Sequence, residues 1–198
     1  MNKGTKRPRG RPKTLDKEHV LNVSMQAYWK EGIGAISLNK ICKEAKVSKP
    51  GIYREFGSDD GLIKAVLTHY QNQVLKPIHK IFKKDEPFEK VLHEYIDILT
   101  TKSPNQYGCL FIRVRDSKYP LGEQSAAEVE RIQKEYLASF TNWIERAKAK
   151  NEFPKDIPTE LAVNYIDAQV SMAMSKAFAG VSASKIKDIL LLAFSVFK

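Results

Sequence analysis

Between Ser37 and Leu62 the chain reads SLNKICKEAKVSKPGIYREFGSDDGL: two short helical patterns separated by a tight turn, the second with almost nothing to bury. In the first half Leu38, Ile41, Cys42 and Ala45 recur at i, i+3, i+4 and i+7. That spacing makes one helix face apolar and leaves Lys40 and Lys43 off it. Ser37 stands where an N-cap is needed. After a turn at Lys46 and Val47, Ser48 predicts the cap of a second helix, and Pro50 is tolerated in its first turn because that N–H has no intrahelical acceptor. Only Ile52 and Phe56, at i and i+4, need to face inward. Pro50, Gly51, Tyr53 and Arg54 are expected to point outward, with Lys49 at the N-terminal turn, as in a helix that enters the major groove of DNA. Helical hairpins with outward lysines also occur in proteins that bind no DNA, so the pattern needs support from elsewhere in the chain.

Charge supplies that support. Residues 1–56 hold 13 Lys and Arg against 5 Asp and Glu, a net of +8, whereas residues 57–198 hold 20 against 18. A field confined to one end of the molecule raises affinity for phosphate and speeds association, and contributes nothing to folding. At the extreme N-terminus Lys3, Lys6, Arg7, Arg9, Arg11 and Lys13 precede the first acid, Asp16, and are interrupted by Gly4, Pro8, Gly10 and Pro12. The segment has no apolar core and is neither a helix nor a signal peptide. Its PRGRP core, with Arg9 and Arg11 flanking a glycine, resembles an AT-hook laid along the minor groove of A·T-rich DNA. The alternative is a solubilising tail.

The rest of the chain reads as all-α. Helices are expected over about Asp16 to Glu31, ended by Gly32 and Gly34, and from Ser58 through Leu62, Val66 and Tyr70 until Pro77 kinks or ends the helix. Pro87 opens a helix rich in Phe88, Val91, Leu92, Tyr95 and Ile96, expected to be central. SPNQYG from Ser103 is a loop, followed by a short helix from Cys109 to Arg115. A long helix over about Ser125 to Lys150 carries Val129, Ile132, Tyr136, Phe140, Trp143 and Ala147 on one stripe. FPKDIP is the next break. The last two helices, about Thr159 to Ala179 and Ser184 to Phe197, combine small side chains with the very apolar IKDILLLAFSVF. The economical cover for such a hairpin is its twofold copy in a second subunit; packing within one chain is the alternative.

No apolar run approaches the roughly 18 residues of a membrane span. Cys42 and Cys109 have no metal-like pairing and fit a reducing, cytoplasmic setting, with Cys109 read as a small buried hydrophobe. His19, His69, His79 and His93 share no metal-ligand spacing, and no cofactor is expected. With no glycine-rich phosphate loop, nucleophile turn or acid/base constellation, no catalytic residue is assigned and an enzyme is not expected.

The segment VSKPGIYREFGSDDGL, with the helix before it, resembles the transcriptional regulators of the tetracycline-repressor (TetR) family. The likeness is close from Leu21 to about Leu67 and extends in outline through Gly108-Cys109-Leu110, EFPKDIP and the terminal hairpin. Beside the basic arm read above over 1–15, it implies a helix-turn-helix domain over 16–57 and a ligand-binding and dimerisation domain over 58–198. It also implies that Tyr53 meets phosphate and that Ser48, Lys49, Pro50, Gly51 and Arg54 reach backbone or bases; Ser37, Arg9 and Arg11 complete the candidate DNA contacts. Two departures stand out. Lys46 occupies the turn where relatives usually carry glycine, and so would have to adopt a left-handed or distorted C-terminal conformation at a modest cost. Asp59 replaces a phosphate-contacting lysine, so that contact is absent or reversed in sign.

The resemblance further implies a homodimer formed by the two C-terminal helices, a double-stranded, palindromic operator and a small-molecule effector. Repression is favoured over activation by that resemblance alone. Tyr70, Tyr95, Tyr107, Phe111, Phe140, Trp143, Tyr165, Gln169 and Met172 are the candidate ligand contacts, since aromatics with an occasional amide suit a mostly apolar organic molecule. They equally describe an ordinary core. The rival function is a non-specific architectural DNA-binding protein that works through the basic arm.

Overall fold

The computed structural model describes residues 15–101 and 107–197, and no β-strand occurs among them. The first four helices are each started by a side chain just ahead of them. Asp16 accepts from the His19 N–H at 3.0 Å and opens α1 (Lys17–Glu31), and Ser37 accepts from Lys40 N at 3.3 Å and opens α2 (Leu38–Ala45). Ser48 accepts from Gly51 N at 3.2 Å ahead of α3 (Lys49–Phe56), and Ser58 from Gly61 N at 3.0 Å ahead of α4 (Asp59–Tyr70). Each cap satisfies an N–H that the helix cannot. Lys46, between α2 and α3, takes the left-handed conformation the turn demands, with φ 55° and ψ 40°.

α1, α2 and α3 close around a small aliphatic core in which Val20, Ile41 and Ile52 are completely buried. α4 packs on α1 and α3 and runs along the long helix Glu123–Ala149. The contact with α3 depends on Gly61, where a Cβ would lie 1.9 Å from the Phe56 carbonyl oxygen. Any side chain there would push α4 off the head.

Pro77 does not end this helix. Ahead of it the backbone widens into a π-turn (Gln71–Leu75), then continues through α5 (Lys76–His79) into a 3-10 turn (Lys80–Lys83). Proline lacks an N–H and its ring clashes with the carbonyl four residues back; a wider turn is one way to keep the helix running past it.

The second half is a bundle of α6 (Phe88–Thr100), α7 (Leu110–Arg115), α8 (Glu123–Ala149), α9 (Thr159–Phe178) and α10 (Ala183–Phe194), closed by a 3-10 turn (Ser195–Phe197). Its core is aromatic. Phe82 meets Tyr95, Phe140 and Trp143 at centroid distances of 4.8–5.1 Å, and Phe88 stacks on Trp143 at 4.4 Å. Truncating one such ring to alanine costs about 3–5 kcal/mol. On the terminal hairpin α9–α10 the inward residues Leu190 and Phe194 are buried, whereas Leu161, Phe178, Leu192 and Val196 are 49–76% exposed.

Candidate functional site

α3 presents one face inward and another to solvent. Ile52 is fully buried and Phe56 half-buried, while Lys49, Pro50, Tyr53 and Arg54 are exposed. The Lys49 ammonium sits 5.4 Å from the centre of the Tyr53 ring, so the two side chains form one cationic and aromatic edge. Ser48 and Ser37 lie at the exposed starts of α3 and α2, their hydroxyls engaged as caps. Gly51 departs from the outward placement expected of it. It is buried, and a Cβ there would stand 3.1 Å from Ser48 Oγ and 3.6 Å from Leu15. Its hydrogen leaves room for the Ser48 hydroxyl that caps the same helix. Arg9 and Arg11 lie outside the described residues. Asp59 is exposed at the N-terminus of α4, where its charge suits the helix dipole but opposes a phosphate.

Two connections tie this head to the bundle. At the start of α4, Asp60 accepts from Gln124 N at 2.9 Å, from Ser125 N at 3.2 Å and from the Ser125 hydroxyl, and so caps α8 from a distant part of the chain. A Cβ at Gly122 would fall 2.3 Å from the same carboxylate. Burial alone would raise the Asp60 pKa, but the Ser125 hydroxyl and the backbone N–H donors outweigh it and hold it below the usual value. Further along, Glu128 of α8, almost fully buried, accepts from Thr68 of α4 and from Arg131, which in turn donates to Gln71 at 2.7 Å.

The second connection is aromatic. Trp29, near the end of α1, donates its indole N–H to the Gly108 carbonyl at 2.9 Å and stands edge-on to Tyr70 of α4, centroids 5.1 Å apart. The Tyr70 hydroxyl reaches Cys109 Sγ at 3.4 Å. Burial pushes the Cys109 thiol up, so it stays protonated at neutral pH. From α7, Arg113 donates to the Trp29 carbonyl and lies 3.8 Å from the centre of the exposed Phe178 ring on α9. Trp29 thus lies at the junction of head and bundle.

Tyr70 and Cys109 line an internal cavity of about 30 Å³, walled also by Tyr95, Phe111, Tyr136 and Met174. That volume holds about two waters. Of the nine candidate ligand contacts, the structure brings together Tyr70, Tyr95 and Phe111. Phe140 and Trp143 belong to the aromatic stack beside the cavity and do not line it. Tyr165 donates to the Ala193 carbonyl at 2.9 Å within the terminal hairpin. Tyr107, Gln169 and Met172 are partly buried away from the cavity wall. Sequence reading missed Tyr136 and His79 as cavity residues. Tyr136 was legible only as one of six residues on a long stripe, and His79 lies beyond the proline that obscures the helix.

On the other side of His79 and Tyr136 a surface groove of about 900 Å³ runs between the π-turn, α5 and α8. The His79 ring packs on Tyr136 with centroids 5.0 Å apart, and burial lowers its pKa to about 4, so the imidazole is neutral at neutral pH.

Among the described residues no group of three or more His, Cys, Asp or Glu side chains is arranged to hold a metal ion, and no helix is long and apolar enough to cross a membrane.

Residues 20–66 match the sequence profile described as bacterial regulatory proteins, tetR family. Over 188 residues, 93% of this chain and 90% of its relative, the sequence is 23% identical to the HTH-type transcriptional repressor ComR of Escherichia coli (strain K12). The fold matches that of the TetR family regulator CifR, solved as a cysteine mutant in complex with a 26 bp operator DNA. The TM-score is 0.84 at 19% identity, covering 95% of this chain and all of that one. It also matches the reduced form of E. coli NemR, with a TM-score of 0.79 at 16% identity over 91% of this chain and 96% of that one. Residues 20–66 thus carry the helix-turn-helix DNA-binding module of the tetR family of bacterial regulatory proteins, and the rest of the described chain shares the fold of regulators that bear it.

Proposed function

We propose that the protein is a cytoplasmic repressor that binds a palindromic operator as a homodimer and is released by a small, mostly apolar effector. The observation that carries this reading is the double allegiance of α4: it begins against the recognition helix α3 and ends at Tyr70 in the wall of the internal cavity. A ligand that enlarges the cavity meets the same rigid element that sets the position of α3. If it prefers the conformer whose heads are wrongly spaced, the population moves off the operator, and a coupling of about 1–3 kcal/mol changes affinity roughly 5- to 150-fold.

Dimerisation is supported by the exposed Leu161, Phe178, Leu192 and Val196 on one hairpin, an apolar surface that a second copy would cover. Two heads then read half-sites one helical turn, or a multiple of it, apart. The reading assigns Tyr53 to phosphate and Lys49, Pro50 and Arg54 to backbone or bases, with Ser37 and Ser48 at the flanking phosphates. Gly51 acts by leaving room for the Ser48 cap of α3, and the arm with Arg9 and Arg11 adds minor-groove contacts.

Selection of bound duplexes from random DNA tests the core of this. A palindromic site preferred over bulk DNA by at least about a thousandfold is expected. An even distribution of binding would point to an architectural protein instead. Leu192→Glu, at a position exposed in the single chain, is expected to give folded monomers that bind half-sites weakly. A wild-type monomer that holds the full site tightly would refute the two-head arrangement.

A further inference from the structure

Three lysines edge the groove between the π-turn, α5 and α8. Lys76 and Lys80 are one helical turn apart, and Lys80 and Lys83 stand three apart on a 3-10 turn, where i and i+3 side chains eclipse. All three therefore crowd one side of the opening. Lys76 is engaged with Asn72 Oδ1 at 2.9 Å, and the two acids of the groove are committed elsewhere: Glu135 to Arg131 and Gln71, Glu145 to Thr159. Lys80 and Lys83 are exposed and form no ion pair among the described residues. Below them the floor is apolar, formed by Leu75, Phe82 and Ile132.

The partition between floor and inner cavity holds a second, independent signal. Leu75, His79 and Tyr136 border both spaces. The Tyr136 hydroxyl is fully buried with no hydrogen-bond partner of bonding geometry, Tyr95 being its polar neighbour. A buried hydroxyl short of a well-formed partner is costly, and phenylalanine would fill the same space without that cost.

We infer that the groove is a binding site for an amphipathic anion: an aromatic or short acyl body carrying a carboxylate or sulfonate, with its charged head between Lys80 and Lys83 and its body on the apolar floor, a polar atom reaching Tyr136 past the His79 ring. The inference deepens the effector reading by naming the chemical class of the effector, and it locates access to the inner cavity at the His79 partition.

Two probes with the same aromatic body test it on the full chain: 1-anilinonaphthalene-8-sulfonate and the uncharged N-phenyl-1-naphthylamine. The sulfonate is expected to bind saturably, one per chain, and to quench Trp143, which packs on Phe82 beneath the floor. Lys80→Glu/Lys83→Glu, at two exposed positions, is expected to weaken the sulfonate about tenfold or more at low salt and the neutral probe less than about twofold. Tyr136→Phe is expected to weaken both probes by a similar small factor without lowering the melting temperature. Sulfonate binding indifferent to both changes, or no saturable binding, overturns the inference. Lysine-dependent binding that leaves operator affinity untouched supports the site and removes the effector role from it, so the two readings fail separately.

Discussion

The head and the bundle start their helices in different ways. Every helix of the head, and α4 after it, is capped by a Ser or Asp three residues before the N–H it serves. In the bundle α10 alone shares this, through Ser182 and Lys185 N at 3.4 Å, whereas α6, α7, α8 and α9 have no such cap. For two of these the first N–H groups are met across the chain: Phe88 N of α6 by Glu152 at 2.9 Å, and the start of α8 by Asp60. A domain that must keep its outward face free of packing has to hold its helices from within. A bundle built around an aromatic core can leave its helix ends to be completed by distant residues, and it thereby ties its own geometry to that of the head.

The strongest way to break the comparison is Gly61→Val. With a Cβ 1.9 Å from the Phe56 carbonyl, α4 must leave α3, and a loss of more than about 3 kcal/mol is expected, read as a lowered denaturation midpoint together with lost DNA binding. Wild-type stability in that variant would mean that the two helices do not abut.

Asp60→Ala comes next. It removes the cap of α8 and strands the Ser125 hydroxyl, and about 1–2 kcal/mol is expected from thermal unfolding, with altered operator affinity because the lost contact joins head to bundle. The sign with pH follows from its lowered pKa. The stabilisation is present above the unfolded value near 4 and disappears as pH falls through the folded one, so wild type and variant should converge in acid.

His79 sharpens the bundle side. Its pKa is lowered to about 4, so the unfolded chain takes up its proton first as pH falls, and stability declines between roughly pH 6.5 and 4. His79→Phe should flatten that decline by about 1–3 kcal/mol in pH-resolved unfolding. An unchanged slope would mean that the imidazole is solvated.

The smallest stability effect belongs to the face the head keeps free. Arg54→Ala should shift stability by no more than about 0.5 kcal/mol while costing about 1–3 kcal/mol of operator affinity if the guanidinium reads a base. Loss of folding along with binding would show that the two duties are not separable there.

The same contrast explains what could be read from the chain alone. Ser37, Ser48 and Ser58 announce helix starts because cap and N–H are three residues apart, and Ile52 and Phe56 announce an inward face because little else on α3 is apolar. The burial of Gly51 was not legible because it is covered in part by Leu15, far away in sequence. In the bundle, Tyr70, Tyr95 and Phe111 were legible as aromatics on inward stripes. Phe140 and Trp143 sit on an equally good stripe and went into the stack instead. Periodicity shows that a side chain turns inward; which inward residues border empty space depends on how rings from different helices fit together, and no local pattern carries that.

The π-turn at Gln71–Leu75 can be viewed as one surplus residue threaded into an otherwise regular helix. Each residue of an α-helix advances the azimuth by about 100°. Deleting a single residue from this turn would therefore let the rod close up as plain α-helix, yet rotate everything downstream, Lys80 and His79 included, by more than a quarter turn relative to α8. The insertion thus works as an indexing device: one residue of chain length decides which side of the following helix confronts the groove, and sequences differing by that one residue would present a different set of side chains to a ligand while leaving the DNA-reading head unaltered.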